Sequence, residues 1–140
     1  MSRALVALQF LLIVLLIVRA HPAAIAAPSL VALVAGVALG AWALWVNRPG
    51  NFNIRPEPKA GGRLVTSGPY RLVRHPMYLS VLLFTAAFAL AGDGWQWPAW
   101  LALAAVLYAK ALREERGLPL VHPDYPDYRA RTRAILPFLL

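Results

Sequence analysis

The sequence contains no cysteine among its 140 residues, which excludes disulfide bonds and thiolate metal sites. Its three histidines are far apart in the chain, so no catalytic metal centre is expected. Charged residues are also scarce, at 14% of the chain, against about a quarter in an average soluble domain. With a hydrophobic content of 60% and a mean hydropathy of +0.58, this composition predicts an integral membrane protein.

Acidic residues are few enough to leave a formal net charge of +8. The basic residues concentrate in segments 47–76 and 113–140, beside apolar runs, as is typical of cytoplasmic segments that face anionic lipid headgroups. Nucleic-acid binding is therefore not expected. Because the other connections carry only Arg19, the positive-inside rule predicts a multi-pass protein with both termini in the cytoplasm, in a plasma or inner membrane.

Four apolar runs predict an all-α polytopic fold, one membrane domain over residues 1–140. The first run could be a cleaved signal peptide, but Arg19 and the second apolar run directly after it favour a membrane helix. Gly92-Asp93-Gly94 predicts a tight turn between the last two helices, and Asp124 a short interfacial helix near the C-terminus. The predicted transmembrane helices cover 4–20, 23–46, 77–92 and 95–112, with a cytoplasmic loop at 47–76 and a cytoplasmic tail at 113–140.

Small residues recur every fourth position in the second helix, at Ala32, Gly36 and Gly40. This spacing predicts a face on which another helix packs closely. The partner could be another helix of the chain or the same helix of a second copy, so the pattern is compatible with a homodimer.

The longest polar stretch ends at His75-Pro76, where the third apolar run begins. Proline disfavours helical geometry in the residue before it and suits the first turn of a helix. The pair therefore predicts a helix that begins at Pro76, with His75 at its cap and Tyr78 in its first turn. An ordinary helix cap is the simpler interpretation, and half of a ligand site is the alternative.

Two adjacent acids, Glu114 and Glu115, follow the fourth predicted helix. The helix macrodipole disfavours carboxylates at that end, so they require another explanation. One is a pair between Glu114 and Lys110, one turn earlier. Another is a cationic ligand such as S-adenosylmethionine, whose sulfonium could also face the rings of Tyr70 and Tyr78 by cation–π attraction.

Three separated motifs resemble the isoprenylcysteine carboxyl methyltransferase family of integral membrane methyltransferases, whose fold group includes the phospholipid methyltransferases. The first is LVTSGPYRLVRHPMY at 64–78, the second EERGL at 114–118, and the third pairs Tyr125 with Tyr128 before Pro137. The resemblance covers residues 51–137.

That resemblance implies S-adenosylmethionine as the cofactor and a membrane lipid or a prenylated molecule or protein as the methyl acceptor. An acceptor that must lose a proton would pass it to His75 or Glu115 as the catalytic base. Lys110 takes the place of a substrate-contacting residue that is usually arginine, and lysine lacks the bidentate grip of arginine on a carboxylate. The implied cofactor-binding positions are Gly62, Arg63, Leu64, Val65, Tyr70, His75, Pro76, Met77, Tyr78 and Glu114.

Two other interpretations stay open. An NADPH-dependent sterol reductase shares an Arg-His-Pro-x-Tyr motif, although here no acid follows the RHPMYLS sequence at 74–80. A non-enzymatic membrane protein could use the basic loop and tail only to bind lipid headgroups.

Overall fold

The computed structural model describes residues 2–47 and 63–137. Within these ranges the protein is helical, with two short 3₁₀ turns at Pro22–Ala24 and Gly68–Arg71. The five helices are α1 (Ser2–Val18), α2 (Ala27–Val46), α3 (Pro76–Leu90), α4 (Gln96–Val121) and α5 (Tyr125–Ala130). The described residues form no β-strand, so the all-α prediction is confirmed for this part of the chain.

The four long helices alternate in direction. At one end of the bundle, the His21 ring lies 3.0 Å from the carboxylate of Asp93, and Gln96 donates to the carbonyl of Arg19. These contacts join the end of α1 to the turn between α3 and α4. At the other end, Asn47 after α2 donates to the hydroxyl of Tyr70. This second end also holds the start of α3, the last turns of α4, and α5; we call it the polar end.

A core of leucines joins α1, α3 and α4, with α3 at the centre. Leu16 of α1 and Leu103 and Leu107 of α4 are fully buried, and Leu82 of α3 packs with them. Helix α2 lies outside this core and packs along α3. The position of α2 is therefore set mainly by its contact with α3, with a smaller contact to the 3₁₀ turn at Gly68–Arg71.

Glycines make the contact between α2 and α3 possible. A Cβ atom at Gly36 would come within 2.5 Å of the backbone nitrogen of Phe84, and one at Gly40 within 2.6 Å of the Ser80 hydroxyl oxygen. That hydroxyl donates to the carbonyl of Gly36 at 2.7 Å. The small-residue face predicted from the sequence thus packs on α3 of the same chain, and a homodimer would need a different surface.

Helix α4 is longer than its apolar run, and the predicted end at residue 112 is wrong. The helix continues to Val121. Residues 113–116 are polar, but arginine and glutamate are good helix formers, so hydropathy falls before helicity does. Glu114 and Glu115 therefore lie inside α4, and the macrodipole argument for them does not apply. Helix α2 also begins later than predicted, at Ala27.

The outer surface of the bundle is apolar. On α1 and α2 the side chains of Leu11, Val31 and Trp45 are 64%, 69% and 85% exposed, as expected for surfaces that face lipid. Among the described residues, Ala27–Val46 is the one helix that is both long and apolar enough to cross a membrane; Arg3–Val18 and Pro76–Leu90 are apolar but shorter. The four-span arrangement stays a prediction.

We expect Gly36→Ala to destabilise the protein by about 1–3 kcal/mol, because the added methyl group forces α2 away from the backbone of α3. Ala38→Val, on the exposed side of α2, is the control and should change stability little. Thermal unfolding in detergent measures both variants. Equal melting temperatures for Gly36→Ala and the wild type would contradict the close packing.

Candidate active site

The start of α3 faces α4 through an aromatic and acidic cluster. The rings of His75 and Tyr78 stack with centroids 5.2 Å apart and planes 7° from parallel. The Tyr78 hydroxyl donates to Oε2 of Glu114 at 3.2 Å, and Nδ1 of His75 lies 3.6 Å from the same oxygen. Three of the residues singled out in the sequence therefore meet, because Pro76 begins the helix where predicted.

Glu115 points to a different set of partners. Arg74 donates to it from Nε at 2.7 Å and from Nη2 at 3.2 Å, and His75 Nε2 lies 3.1 Å from Oε1. Arg129 of α5 adds a contact of 3.5 Å. Since the Glu115 side chain is only 4% exposed, these contacts form a buried ionic network.

The ionic network decides the protonation of Glu115. Burial alone would raise its pKa, but hydrogen bonds from His75 and Arg74 and the charge of Arg74 outweigh burial and lower the pKa to about 2. Glu115 is therefore a permanent carboxylate and a poor proton acceptor. Its geometry suits holding Arg74 and His75 in place.

Arg74 also binds the segment that follows α5. Its Nη1 donates to the carbonyl of Thr132 at 2.5 Å. The backbone N–H groups of Arg74 and His75 donate to the carbonyls of Arg133 and Ala134 at 2.7 and 2.9 Å, beside an isolated parallel bridge between residues 73 and 133. The C-terminal segment thus fixes the backbone from which His75 projects.

The predicted C-terminal helix is present as α5, and it packs on protein. Its two tyrosines, Tyr125 and Tyr128, are buried. The Tyr128 hydroxyl donates to the carbonyl of Tyr70 at 2.7 Å, so α5 supports a predicted cofactor position.

The other predicted cofactor positions lie at the end of α2. Val65 and Tyr70 pack with Ala43 and Met77. Burial raises the pKa of Tyr70 to about 12, against the opposing hydrogen bond from Asn47, so its hydroxyl stays protonated. Among the remaining positions, Arg63 is exposed, Leu64 is half-buried and Pro76 is buried, and Gly62 lies outside the described residues.

Glu114 has an incomplete set of positive neighbours. Burial raises its pKa by more than His75, Tyr78 and Lys110 lower it. The charged form of this carboxylate would therefore be stabilised by a cationic ligand. Glu114 and the stacked rings of His75 and Tyr78 are consequently the residues best placed to hold a cationic cofactor. The described residues contain no group of three side chains that could hold a metal ion.

Lys110 is buried beside this cluster with a partner that the sequence analysis missed. It is 1% exposed, and its ammonium group donates to the side-chain oxygen of Gln9 on α1 while lying 5.2 Å from the centroid of the Tyr78 ring. The hydrogen bond goes to Gln9 rather than to the predicted partner Glu114. The available signal was that Gln9 interrupts an otherwise apolar helix.

An apolar groove of about 480 Å³ opens between α1 and α2, with α3 as its floor. Its walls include Ile13 of α1 and Leu44 of α2, and its floor includes Met77, Val81 and Phe84. Because Met77 also packs with Val65 and Tyr70, the groove reaches the polar end beside the Glu114 cluster.

The fold is that of a helical membrane protein with an acidic, aromatic cluster at one end of its bundle. Residues 4–119 match the sequence profile of the phospholipid methyltransferase family. The chain therefore belongs to that family, which consists of membrane methyltransferases. The membership confirms the resemblance seen in the sequence motifs.

Two curated relatives match over 78 residues, or 54% of the chain. The cobalt-zinc-cadmium resistance protein CzcN of Cupriavidus metallidurans is 41% identical, and the nickel-cobalt-cadmium resistance protein NccN of Alcaligenes xylosoxydans xylosoxydans is 36% identical. The match covers 36% and 37% of these relatives, so the chain corresponds to little more than a third of their length. No solved structure matches.

We expect Glu115→Gln to lower the free energy of unfolding by about 3–5 kcal/mol, because it leaves Arg74 buried without its counter-charge. The effect should depend on pH. The folded-state pKa of about 2 lies below the ordinary value of 4.5, so the carboxylate stabilises the fold above about pH 4.5. That stabilisation is lost as the pH falls towards 2.

Melting temperatures of the wild type and Glu115→Gln between pH 7 and pH 3 measure this dependence. The difference between the two proteins should shrink below pH 4.5. Asp127→Asn, which removes an exposed carboxylate, is the control. A constant difference across the whole pH range would show that the charge of Glu115 is not what stabilises the network.

Gln9→Leu should destabilise the protein by about 3 kcal/mol, because the buried ammonium group of Lys110 loses its acceptor. Adding Lys110→Met to this variant removes the unsatisfied group and should restore most of the loss. Thermal unfolding of both single variants and the double variant gives the coupling between the two side chains. Additive effects would mean that the contact contributes no stability.

Proposed function

We propose that this protein transfers a methyl group from S-adenosylmethionine to a lipid-like or prenylated acceptor at the membrane boundary. The observation that carries the proposal is the Glu114 carboxylate, which Tyr78 holds beside two stacked rings in a chain of a methyltransferase family. Such a site combines negative charge with aromatic faces, the two features that attract a sulfonium or an ammonium group.

The residues around Glu114 would bind different parts of S-adenosylmethionine. When bound, S-adenosylmethionine supplies an electrophilic methyl group on a positively charged sulfur. Glu114 attracts the cationic part of the ligand, and the ring of Tyr70 offers a face to it. Tyr78, whose ring already contacts His75 and the Lys110 ammonium, holds the Glu114 carboxylate through its hydroxyl. Val65 and Met77 provide an apolar wall next to Tyr70, which keeps water from the reacting groups.

S-adenosylmethionine held by Glu114 would supply the methyl group and keep the electron pair of the broken sulfur–carbon bond, and the acceptor would supply the electron pair of the new bond. A carboxylate acceptor requires no proton transfer. For an acceptor with an N–H or S–H bond, His75 takes the proton at Nδ1, because its Nε2 is engaged by Glu115. Glu115 orients the imidazole and is not itself the base, since its pKa is about 2.

The acceptor lies in the groove between α1 and α2. Its apolar lining suits a hydrocarbon chain that enters sideways from the bilayer, and the end of the groove at Met77 directs the head of the acceptor towards His75 and Glu114. The buried charge of Lys110 is available to an acidic group on the acceptor once Gln9 releases it. A single ammonium holds a carboxylate less rigidly than arginine does.

The polar end faces the cytoplasm of a plasma or inner membrane. Three exposed arginines of the C-terminal segment, Arg129, Arg131 and Arg133, lie at this end, while the turn at residues 92–94 at the opposite end has no basic residue. By the positive-inside rule this asymmetry directs the polar end inward. Alternating helices that begin with α1 at the polar end then place both termini in the cytoplasm, where the water-soluble cofactor is available.

Glu114→Gln should weaken S-adenosylmethionine binding by about tenfold to a hundredfold, because the neutral amide loses a charge-assisted interaction worth roughly 1.5–3 kcal/mol. Calorimetric titration of the detergent-purified protein measures the affinity. Asp127→Asn removes an exposed carboxylate on α5 and should leave the affinity unchanged. Titration with NADPH runs in parallel.

Saturable binding of NADPH without binding of S-adenosylmethionine would overturn the proposal in favour of a reductase. Binding of neither compound by protein that unfolds cooperatively would favour a lipid-binding role without catalysis. The acceptor class is then tested with methyl-labelled S-adenosylmethionine, using phosphatidylethanolamine vesicles and farnesylated N-acetylcysteine in separate reactions. Label that enters only water-soluble compounds would contradict sideways entry through the groove.

A further inference from the structure

A second cavity lies at the polar end, between the segment before α3 and the C-terminal segment. It has a volume of about 280 Å³ and a polar lining of Thr66, Arg71, Tyr128, Arg131 and Thr132. None of these residues belongs to the Glu114 cluster. The cavity therefore differs from the apolar groove, and it adjoins the site proposed for methyl transfer through the hydrogen bond from Tyr128 to Tyr70.

Two arginines, Arg71 and Arg131, bring guanidinium groups to the cavity. Arg74 and Arg129 pair with the buried Glu115. The guanidinium groups of Arg71 and Arg131 make no ion pair or hydrogen bond with the described part of the chain, and both residues are exposed. Asp127, the one acid of α5, forms no ion pair with either of them. The cavity thus concentrates positive charge from two segments that are distant in sequence.

The hydrogen-bond donors that remain free in the cavity determine which ligand it can bind. The hydroxyl of Tyr128 donates to the carbonyl of Tyr70, and that of Thr132 donates to the carbonyl of Tyr128, so both protons are already used. Among the described residues of the lining, the side-chain donors left are the two guanidinium groups and the hydroxyl of Thr66. Guanidinium groups and a hydroxyl that line one cavity are donors that suit the oxygens of a phosphate group.

The depth of the cavity indicates where the phosphate comes from. Gly68, in the 3₁₀ turn beside the cavity, lies against Val46 and the indole nitrogen of Trp42 at the end of α2. Trp42 and Trp45 are 50% and 85% exposed there, and exposed tryptophans at the end of an apolar helix mark the membrane–water interface. The cavity is therefore level with lipid headgroups.

We propose that the cavity lined by Arg71 and Arg131 is a phosphate-binding site that takes the headgroup phosphate of an anionic membrane lipid. The bound phosphate bridges the segment before α3 and the C-terminal segment. It reinforces the same junction that Arg74 makes through the carbonyl of Thr132. This lipid is a ligand of the fold and not the methyl acceptor, so the inference does not rest on the proposed function.

The test uses the detergent-purified protein without cofactor, titrated with dihexanoyl phosphatidylglycerol and, in a separate arm, with inorganic phosphate. Native mass spectrometry gives stoichiometry, and thermal unfolding gives affinity and stabilisation. Arg71→Gln and Arg131→Gln should each weaken lipid binding by about tenfold, the loss of one charge-assisted contact. Arg133→Gln removes the same charge from an exposed arginine outside the cavity lining and should change it less than about twofold.

Each outcome decides one part of the inference. One lipid per chain, with the two cavity variants weakened and the control unaffected, supports it. Equally weakened lipid binding in all three variants would mean that the lipid is attracted by the general positive charge of the surface, and would overturn the proposed site. Inorganic phosphate that binds as tightly as the lipid would overturn the lipid as the source.

The same variants are also titrated with S-adenosylmethionine. Loss of that binding with unchanged lipid affinity would assign the arginines to the carboxylate of the cofactor and overturn the lipid site. Lipid binding is measured without cofactor. The result therefore tests the lipid site even if the proposed methyl transfer is wrong.

Discussion

The buried contact of Glu115 with Arg74 is the interaction on which the polar end depends. It joins the last turns of α4 to the residues before α3, and Arg129 brings in α5. Taking either charge out of water is costly unless the other is present, so the three segments are held together or not at all. Apolar packing adds to this junction, since Ala134 and Ile135 after α5 belong to the same core as Ala111 of α4.

Adjacent residues of one helix point about 100° apart, and the two glutamates use this difference. Glu115 turns towards Arg74 and is fully matched by positive charge, which lowers its pKa to about 2. Glu114 turns towards Tyr78 and is incompletely matched, so that burial raises its pKa. Glu115 therefore stabilises the structure, whereas the charge of Glu114 is only partly balanced and can be balanced by a cationic ligand. His75 contacts both glutamates and so links the ionic network of Glu115 to the cluster around Glu114.

Sequence patterns anticipated much of this arrangement. Pro76 marked the start of α3, the glycine spacing marked the face that packs on α3, and the motifs identified the residues that meet around Glu114. The end of α4 was missed because apolar character stops near residue 112 although the helix continues to Val121. The partners of Glu115 and Lys110 were missed because each contact spans a long stretch of sequence, 41 residues to Arg74 and 101 to Gln9. Local patterns carry no information about such distances.

The seam between α2 and α3 also determines the shape of the groove. Gly36 and Gly40 line that groove and at the same time set how closely the two helices approach. The width of the groove therefore depends on the lack of a side chain at Gly36 and Gly40. Relatives with alanine or serine at these positions would hold α2 further out and admit a thicker or branched hydrocarbon. The width of the groove could then change through these two positions while every residue around Glu114 stays unchanged.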